Sequence, residues 1–347
     1  MKKMIHFGLC AAAALVLVLA GCRGDSKKAA PVDTAAKNIN IGVFIPGIMS
    51  GSAIYEMLAE GVNTAGAVFS NEQSPVQVTV VEGGFNQAEW ESKLTAMAAS
   101  GTYDLIVSSN PSLPAIAAAV SAKFPRQHFL LLDGELTGNP MIYALTYNQR
   151  EQAYLAGYIA ALVARELTPR DRAPRIGLVA GQEYPAMNNV ILPGYEEGAK
   201  AATPDATVDF RVVGNWFDAG KGAELAGDMI RGGVTVILGV AGSANEGVVQ
   251  AAAETGNKVV WFDTNGYGIR PGTVVGSSAL YQDLAAYEQT LRFLRGNLPF
   301  GITEVVGVDE GYVNFIEDDP IYLETVSPEI RAKQGAEILR IRGGLLR

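Results

Sequence analysis

Aromatic rings and a carboxylate stand where two apolar runs of this chain end. Trp216 and Asp218 follow one run, and Asp263 closes another. A carboxylate can accept two hydrogen bonds from a vicinal diol, and an indole ring offers a flat apolar face for stacking. Structural roles are the alternatives, because Asp218 can cap the next helix and Asp263 can form a turn. We predict that Asp218 caps the helix and that Trp216 faces a binding cleft together with Asp263.

No arrangement for catalysis or metal binding can be assembled from this sequence. Its two histidines are His6, near the start of the chain, and His128, at the start of an apolar run, so neither a Ser-His-Asp arrangement nor a histidine metal site is available. Residues 46–51 lack the spacing and the lysine of a phosphate-binding loop, and the glycine-rich segment 239–247 lacks the dinucleotide spacing. We therefore predict a protein that is not an enzyme, with no metal and no cofactor, in which 239–247 is a tight turn beside the cleft.

Short apolar runs rich in β-branched residues alternate with helical patterns along most of the chain, as is typical of repeated β-α-β units. The pattern runs through once and then begins again, which predicts an α/β protein with two doubly wound parallel-sheet domains and a hinge. Ligands of open parallel sheets bind beyond the carboxyl ends of the strands, so we expect the site between the domains. The expected strands are 41–45, 76–82, 105–107, 129–132 and 141–147 in the first set, and 176–179, 208–213, 234–240 and 258–262 in the second.

The last part of the chain is too short for a third domain and is expected to return to the first domain and cross again. We predict an N-terminal lobe of residues 39–147 plus about 276–305, and a C-terminal lobe of 148–275 plus about 306–347.

The first residues indicate export and a lipid anchor. Residues 1–21 have the cationic start, the short apolar run and the small residues of a signal peptide, and Cys22 follows directly. After cleavage Cys22 is the only cysteine, so it has no partner for an internal disulfide, whereas acylation gives its thiol a use. Residues 22–38 are then the lipidated cysteine and a flexible tether. We expect a lipoprotein held on the periplasmic or extracytoplasmic face by this anchor alone.

The charge balance limits the partners. The chain has a formal net charge of −9, and this acidic character argues against nucleic acid, whose phosphates are bound by clustered lysine and arginine. We expect a monomer that binds a small molecule.

Several stretches, taken in order, resemble the basic membrane protein family, the solute-binding lipoproteins of ABC importers typified by purine-nucleoside receptors. The resemblance implies a type I periplasmic-binding-protein fold and a role in uptake without catalysis, with ABC permease and ATPase subunits as partners. The stretches are YDLIV at 103–107, FP at 124–125 with FLLLD at 129–133, AYLAGY at 153–158, GYEEGA at 194–199, VGNWFD at 213–218 and WFD at 261–263.

The resemblance also implies roles for single residues. Trp216 falls on the stacking ring of the second domain, and Asp263 on the carboxylate that holds the ribose hydroxyls. Gly242 falls near the glycine that lets backbone approach the sugar, and Ser109 and Asn110 fall where first-domain loop residues reach the base.

Two departures from the family pattern bear on the ligand. The family's Asp-x-Ser-Phe-Asn stretch is replaced here, so that Ile54 stands for the stacking phenylalanine, and we expect Tyr55 to take over its role beside Ser50. A lysine usual near the return crossing is replaced by Tyr281. Losing a charged donor while gaining tyrosines favours a flatter or larger ring than a purine, so riboflavin is preferred over a purine nucleoside.

Two further alternatives remain open. A surface lipoprotein that adheres to a host or matrix protein would keep the fold without the pocket, and the altered loop around Tyr55 motivates this alternative. A sugar or amino acid ligand on the same fold predicts fewer stacking rings than the sequence contains.

Overall fold

A computed structural model describes residues 38–346, which form two six-stranded sheets flanked by helices. The signal peptide, Cys22 and all of the predicted tether except its last residue lie outside the described residues. Among the residues that are described, no helix combines the length and the apolar character needed to cross a membrane. The same part of the chain holds no group of three or more His, Cys, Asp or Glu residues arranged for a metal ion.

The first sheet is entirely parallel, in the order β11-β5-β4-β3-β1-β2. Of its two central strands, β3 is buried at every position and β4 at all but its first residue, as expected for strands covered by helices on both faces. The strands are β1 (Ile39–Ile45), β2 (Val76–Glu82), β3 (Leu105–Ser109), β4 (His128–Leu132), β5 (Ile142–Tyr147) and β11 (Thr303–Val306). The helices on this sheet are α1 (Ala53–Phe69), α2 (Trp90–Ala99), α3 (Leu113–Lys123) and α8 (Gln282–Leu294).

The second sheet has the corresponding order β12-β10-β9-β8-β6-β7, and only β12 is antiparallel to its neighbour. Its strands are β6 (Arg175–Ala180), β7 (Thr207–Val212), β8 (Val236–Val240), β9 (Lys258–Asp263), β10 (Val274–Leu280) and β12 (Val313–Phe315). The helices packed with this sheet are α4 (Gln149–Leu167), α5 (Leu192–Ala202), α6 (Ala219–Arg231), α7 (Asn245–Thr255), α9 (Pro320–Thr325) and α10 (Pro328–Arg342). The prediction of an α/β protein with two parallel-sheet domains is confirmed.

We call the first sheet with its helices the first lobe and the second sheet with its helices the second lobe. The chain passes between them three times: from β5 to α4, from β10 to α8, and from β11 to β12. The expectation that about 276–305 belong to the first lobe is wrong for residues 276–280. These residues are part of β10, which is buried at every position and pairs with β9 in the second sheet, so the chain returns only after Leu280.

Helices α4 and α5 pack closely because a glycine of each helix lies against the backbone of the other. A Cβ added to Gly157 would lie 2.8 Å from the carbonyl carbon of Tyr195, and one added to Gly198 would lie 2.7 Å from that of Tyr154. Helix α4 is also the element that enters the second lobe directly from β5.

Candidate ligand-binding cleft

Two aspartates occupy equivalent places in the two lobes. Asp133 follows β4 and Asp263 ends β9, and each of these strands is third in the order of its sheet. Both have a left-handed backbone, with φ of 52° and 73°, and among residues 38–346 they are the only residues other than glycine with positive φ. This conformation is uncommon for residues with a side chain, although aspartate adopts it more readily than most, and strained residues of this kind cluster at functional sites. The strained backbone marks both carboxylates as candidates for binding.

The first turn of α4 holds both carboxylates. Gln149 Nε2 donates to Asp133 Oδ1 at 3.3 Å, and Gln152 Nε2 donates to Asp263 Oδ1 at 3.0 Å. Residues three apart lie on the same face of a helix, so one turn of α4 reaches one carboxylate from each lobe. Both aspartates are only half-buried, which leaves them reachable from solvent.

Burial and mutual repulsion both raise pKa values in this pair of aspartates. Burial raises the pKa of Asp133 to about 8, and the charge of Asp263 adds to the rise. Burial also raises the pKa of Asp263, to about 6, while the hydrogen bond from Gln152 opposes the rise. Among the described residues, no lysine or arginine forms an ion pair with either carboxylate. The two groups therefore repel each other without a neutralising cation.

The wall on the second lobe is aromatic. The Trp216 ring lies flat over Gly181, where an added Cβ would be 2.8 Å from Cδ2. Gly242 has a φ of 57°, and a Cβ added there would collide with the Trp216 carbonyl oxygen at 2.7 Å. Tyr184 faces Trp216 with ring centroids 6.0 Å apart. Burial raises the pKa of the Tyr184 hydroxyl, with further contributions from Asp133 and Asp263. Tyr184 therefore connects Trp216 to the carboxylate pair.

The turn that carries Trp216 is ordered by its polar neighbours. Asn215 Oδ1 accepts hydrogen bonds from the backbone N–H of Phe217 and of Asp218, and Asp218 Oδ1 accepts from Lys221 N at 2.8 Å. The prediction that Asp218 caps the following helix, α6, is confirmed.

The wall on the first lobe is built around Tyr55. Its hydroxyl donates to the Pro46 carbonyl oxygen at 3.0 Å and accepts from Asn110 Nδ2 at 3.3 Å, and its ring covers Gly47. Burial raises the pKa of Tyr55 to about 12, the hydrogen bond from Asn110 lowers it, and Asp133 raises it. Tyr55, Asn110 and Asp133 therefore lie together. Tyr55 follows β1 and Tyr184 follows β6, so the two tyrosines come from equivalent connections of the two lobes.

Three other predicted site residues are less closely tied to the carboxylates. Ser109 is buried at the end of β3, and its Oγ makes no hydrogen bond with the described residues. Ser50 is exposed in the turn before α1, and no described contact joins it to Asp133 or Asp263. Tyr281 stands at the crossing into α8, where its hydroxyl accepts from Asn314 Nδ2 at 3.2 Å.

Sequence reasoning missed several members of the cluster, namely Asp133, Tyr184, Gln149, Gln152 and Tyr147. Asp133 and Tyr184 follow strands and carried the same positional signal as the residues that were chosen. The two glutamines carried no such signal, since they lie on α4. Tyr147 is the last residue of β5, as Asp263 is of β9, but it was not chosen. Tyr147 links two crossings, because its buried hydroxyl donates to Gln282 Oε1 at 2.6 Å.

A ring pair joins the lobes at their outer strands. Phe85 follows β2 and Phe217 follows β7, which are the last strands of their sheets, and the ring centroids are 6.0 Å apart. Both rings are mostly exposed, 70% and 63%. We call Phe85 and Phe217 the inter-lobe clasp. The two rings make a contact between the lobes next to Trp216 in the sequence.

Solved structures share this architecture. A crystal structure of ABC transporter system solute-binding proteins from Aeropyrum pernix K1 superposes with a TM-score of 0.76 at 21% identity, covering 89% of this chain and 92% of that one. A transcriptional activator of the comK gene from Bacillus halodurans superposes with a TM-score of 0.70 at 19% identity, covering 88% and 98%. The fold is thus that of the periplasmic solute-binding proteins, confirming the prediction, and proteins with other roles share it.

Residues 38–342 match the family described as ABC transporter substrate-binding protein PnrA-like, and the chain belongs to this family. An ABC transporter nucleoside-binding protein, BmpA of Lactococcus lactis subsp. cremoris, is 26% identical over 262 residues, which are 73% of this chain and 69% of that protein. A CD4+ T-cell-stimulating antigen of Listeria innocua is 22% identical over 339 residues, 93% and 91% of the two chains. Basic membrane protein D of Borreliella burgdorferi is 31% identical over 169 residues, about half of each chain (48% and 47%). The family resemblance drawn from the sequence is confirmed.

Proposed function

We infer that this protein captures an aromatic heterocycle bearing ribose or a ribityl chain between its lobes and delivers it to an ABC permease. The observation that carries this proposal is the convergence of rings from both lobes, Tyr55 from one and Tyr184 with Trp216 from the other, on two carboxylates. Aromatic side chains commonly hold flat rings by stacking, which contributes to affinity beyond the area buried.

Asp263 supplies the second half of the recognition. Gln152 donates to Oδ1 of its carboxylate, and no other side chain within residues 38–346 donates to it, so the remaining lone pairs can accept from two neighbouring hydroxyl groups. Gly242 has a left-handed backbone that packs against the Trp216 carbonyl oxygen, and we propose that the ligand also meets the main chain at this turn. Ser109 and Asn110 are proposed to contact the ring, and Ser50 and Tyr281 to contact the ligand at the edge of the site.

Riboflavin and a purine nucleoside are the two ligands to be distinguished. The name of the Lactococcus relative supports a nucleoside. The replacement of the family's stacking phenylalanine by Ile54 and of its lysine by Tyr281 supports riboflavin, whose ring system is broader and whose ribityl chain suits Asp263 equally well.

The optical spectrum of freshly purified protein is the first test, since a co-purified flavin is yellow and fluorescent whereas a purine absorbs only in the ultraviolet. Thermal shift with riboflavin, inosine, guanosine and free ribose follows, because a bound ligand raises the melting temperature by mass action. The proposal expects a shift with a ring ligand that exceeds the shift with ribose. If no ring ligand shifts the melting temperature, the proposal is wrong, and the adhesion alternative is favoured.

The lipid anchor is the second part of the proposal. Acylation of Cys22 would keep the protein on the extracytoplasmic side, where solute-binding proteins of ABC transporters work. Labelling of cells with a radioactive fatty acid should mark the wild-type protein and not the Cys22→Ser variant. Equal labelling of both would remove Cys22 from this role.

A further inference from the structure

The two cleft carboxylates form one coupled unit. They follow equivalent strands, both have the left-handed backbone, and glutamines three residues apart on α4 hold one each. Within residues 38–346 no lysine or arginine is ion-paired with either of them. Two carboxyl groups that share a confined site without a cation cannot both be ionised easily, so such a pair retains one proton.

The hydrogen bonds favour Asp133 as the partner that carries the proton. Gln152 donates to Asp263 at 3.0 Å, and a donated hydrogen bond favours the ionised form, whereas the contact from Gln149 to Asp133 is longer, at 3.3 Å. The other titratable groups near Asp133 are the hydroxyls of Tyr55, Tyr147 and Tyr184, none of which supplies a positive charge. Asp263 is therefore the ionised partner and Asp133 the protonated one. The raised pKa of Asp133, about 8, agrees with this assignment.

We propose that Asp133 binds the ligand as a neutral carboxylic acid and selects a ring edge on which one hydrogen-bond donor lies beside one acceptor. A protonated carboxyl group offers one O–H donor and one carbonyl acceptor, which match an N–H beside a carbonyl oxygen in a lactam or imide. An ionised carboxylate has only acceptors and would meet the carbonyl oxygen with repulsion. This inference rests on the proposed function. It adds that the protonated Asp133 recognises the ring edge, while the ionised Asp263 holds the ribose or ribityl group.

Binding of inosine and of riboflavin as a function of pH tests the proposal, measured by calorimetry for wild type, Asp133→Asn and Asp133→Ala. The carboxamide of asparagine has one donor group and one acceptor at any pH, so it imitates the protonated acid. For the probe that binds, wild-type affinity should fall by about tenfold per pH unit above roughly pH 8, because ionisation removes the donor. Asp133→Asn should stay within about fivefold of wild type near pH 6 and show no such fall, whereas Asp133→Ala should lose about tenfold or more throughout.

The methylated probes 1-methylinosine and 3-methylriboflavin lack the N–H of this edge and should bind at least about tenfold more weakly than their parents. The asparagine variant also controls for ionisation of the ligand, since any change it shows with pH belongs to the probe. The proposal is overturned if wild-type affinity follows the same pH curve as Asp133→Asn, or if Asp133→Asn binds as poorly as Asp133→Ala.

An infrared difference spectrum between wild type and Asp133→Asn separates the two proposals. A protonated carboxyl has its own C=O stretching band, which should be present in wild type near neutral pH and absent from the variant. Its absence overturns the inference even where a ring ligand binds. If neither inosine nor riboflavin binds but the band is present, the proposed function fails while the proton on Asp133 is supported.

Discussion

Replacing Gly181 by alanine tests the wall of the cleft directly. Carbon atoms in contact normally lie about 3.5–4.0 Å apart, but a Cβ on Gly181 would be only 2.8 Å from Cδ2 and from Cζ3 of Trp216. The indole ring would have to move by roughly 1 Å, away from Gly181. Since Gly181 does not have a positive φ, alanine introduces no backbone strain of its own, and the collision with the ring is the main effect.

The expected cost combines a loss of stability with a loss of binding. Overpacking of this kind costs about 1–3 kcal/mol, and because the half-buried ring has some freedom to yield, we expect the lower half of that range. Ligand affinity should fall by about tenfold, because the stacking face is displaced. Urea denaturation measures the first quantity, and calorimetric titration with the ring ligand measures the second. Gly268→Ala is the matched control, since its Cβ would meet nothing within 4 Å.

A double-mutant cycle with Trp216→Ala isolates the contact. Once the ring is absent, the new methyl group has space, so Gly181→Ala should cost close to nothing in that background, whereas the single substitutions would both destabilise. If Gly181→Ala costs the same with and without the Trp216 ring, the reasoning that places the ring against Gly181 is refuted.

Three further predictions concern packing, closure and protonation. Gly157→Ala should destabilise by about 3 kcal/mol or more in urea, because its methyl group would collide with a backbone carbonyl of α5 that cannot rotate away. Phe217→Ala should weaken ligand binding by about three- to tenfold in titrations, because the inter-lobe clasp loses a ring pair worth about 0.5–1.5 kcal/mol. Asp133→Asn should gain thermal stability relative to wild type as pH rises from about 4 to about 8. Burial holds the pKa of Asp133 above its ordinary value, so wild type loses stability as pH rises through that window.

For each of these three predictions, we name a control or the outcome that would contradict it. Gly227→Ala, in a helix where only the flexible end of an arginine lies near, should not destabilise, and equal losses for Gly227 and Gly157 would contradict the packing argument. Leu339→Ala removes an equally exposed apolar side chain far along the sequence and should leave affinity unchanged; the same loss as for Phe217→Ala would rule out the clasp. A stability difference for Asp133→Asn that stays constant with pH would show that Asp133 is ionised in the folded protein.

Much of the fold could be predicted because strands and helices leave local patterns. The runs of β-branched and apolar residues at 41–45 and 76–82 predicted β1 and β2, and the bounds expected for β2 are the ones observed. Asp218 was identified as a helix cap from its position alone. Strand β10 was assigned in part to the wrong lobe, because its apolar residues predict a buried strand but do not say which sheet it joins.

The candidate site was predicted less completely. Trp216 and Asp263 stood out because aromatic and acidic residues at strand ends are unusual against their apolar surroundings, whereas Tyr55 was chosen only through the family resemblance. Gln152 gave no signal, since a glutamine within a helix is ordinary in any sequence and acquires its role only through its contact with Asp263.

The sequence by itself determined the two rounds of strand and helix, the family and the strand ends at which binding residues stand, because each depends on periodicity or on neighbouring residues. Only the tertiary structure decided that Asp133 and Asp263 meet at one turn of α4, and therefore that one of them keeps a proton. Repulsion and desolvation depend on distances in space between residues more than a hundred positions apart in the chain, and no local pattern records those distances.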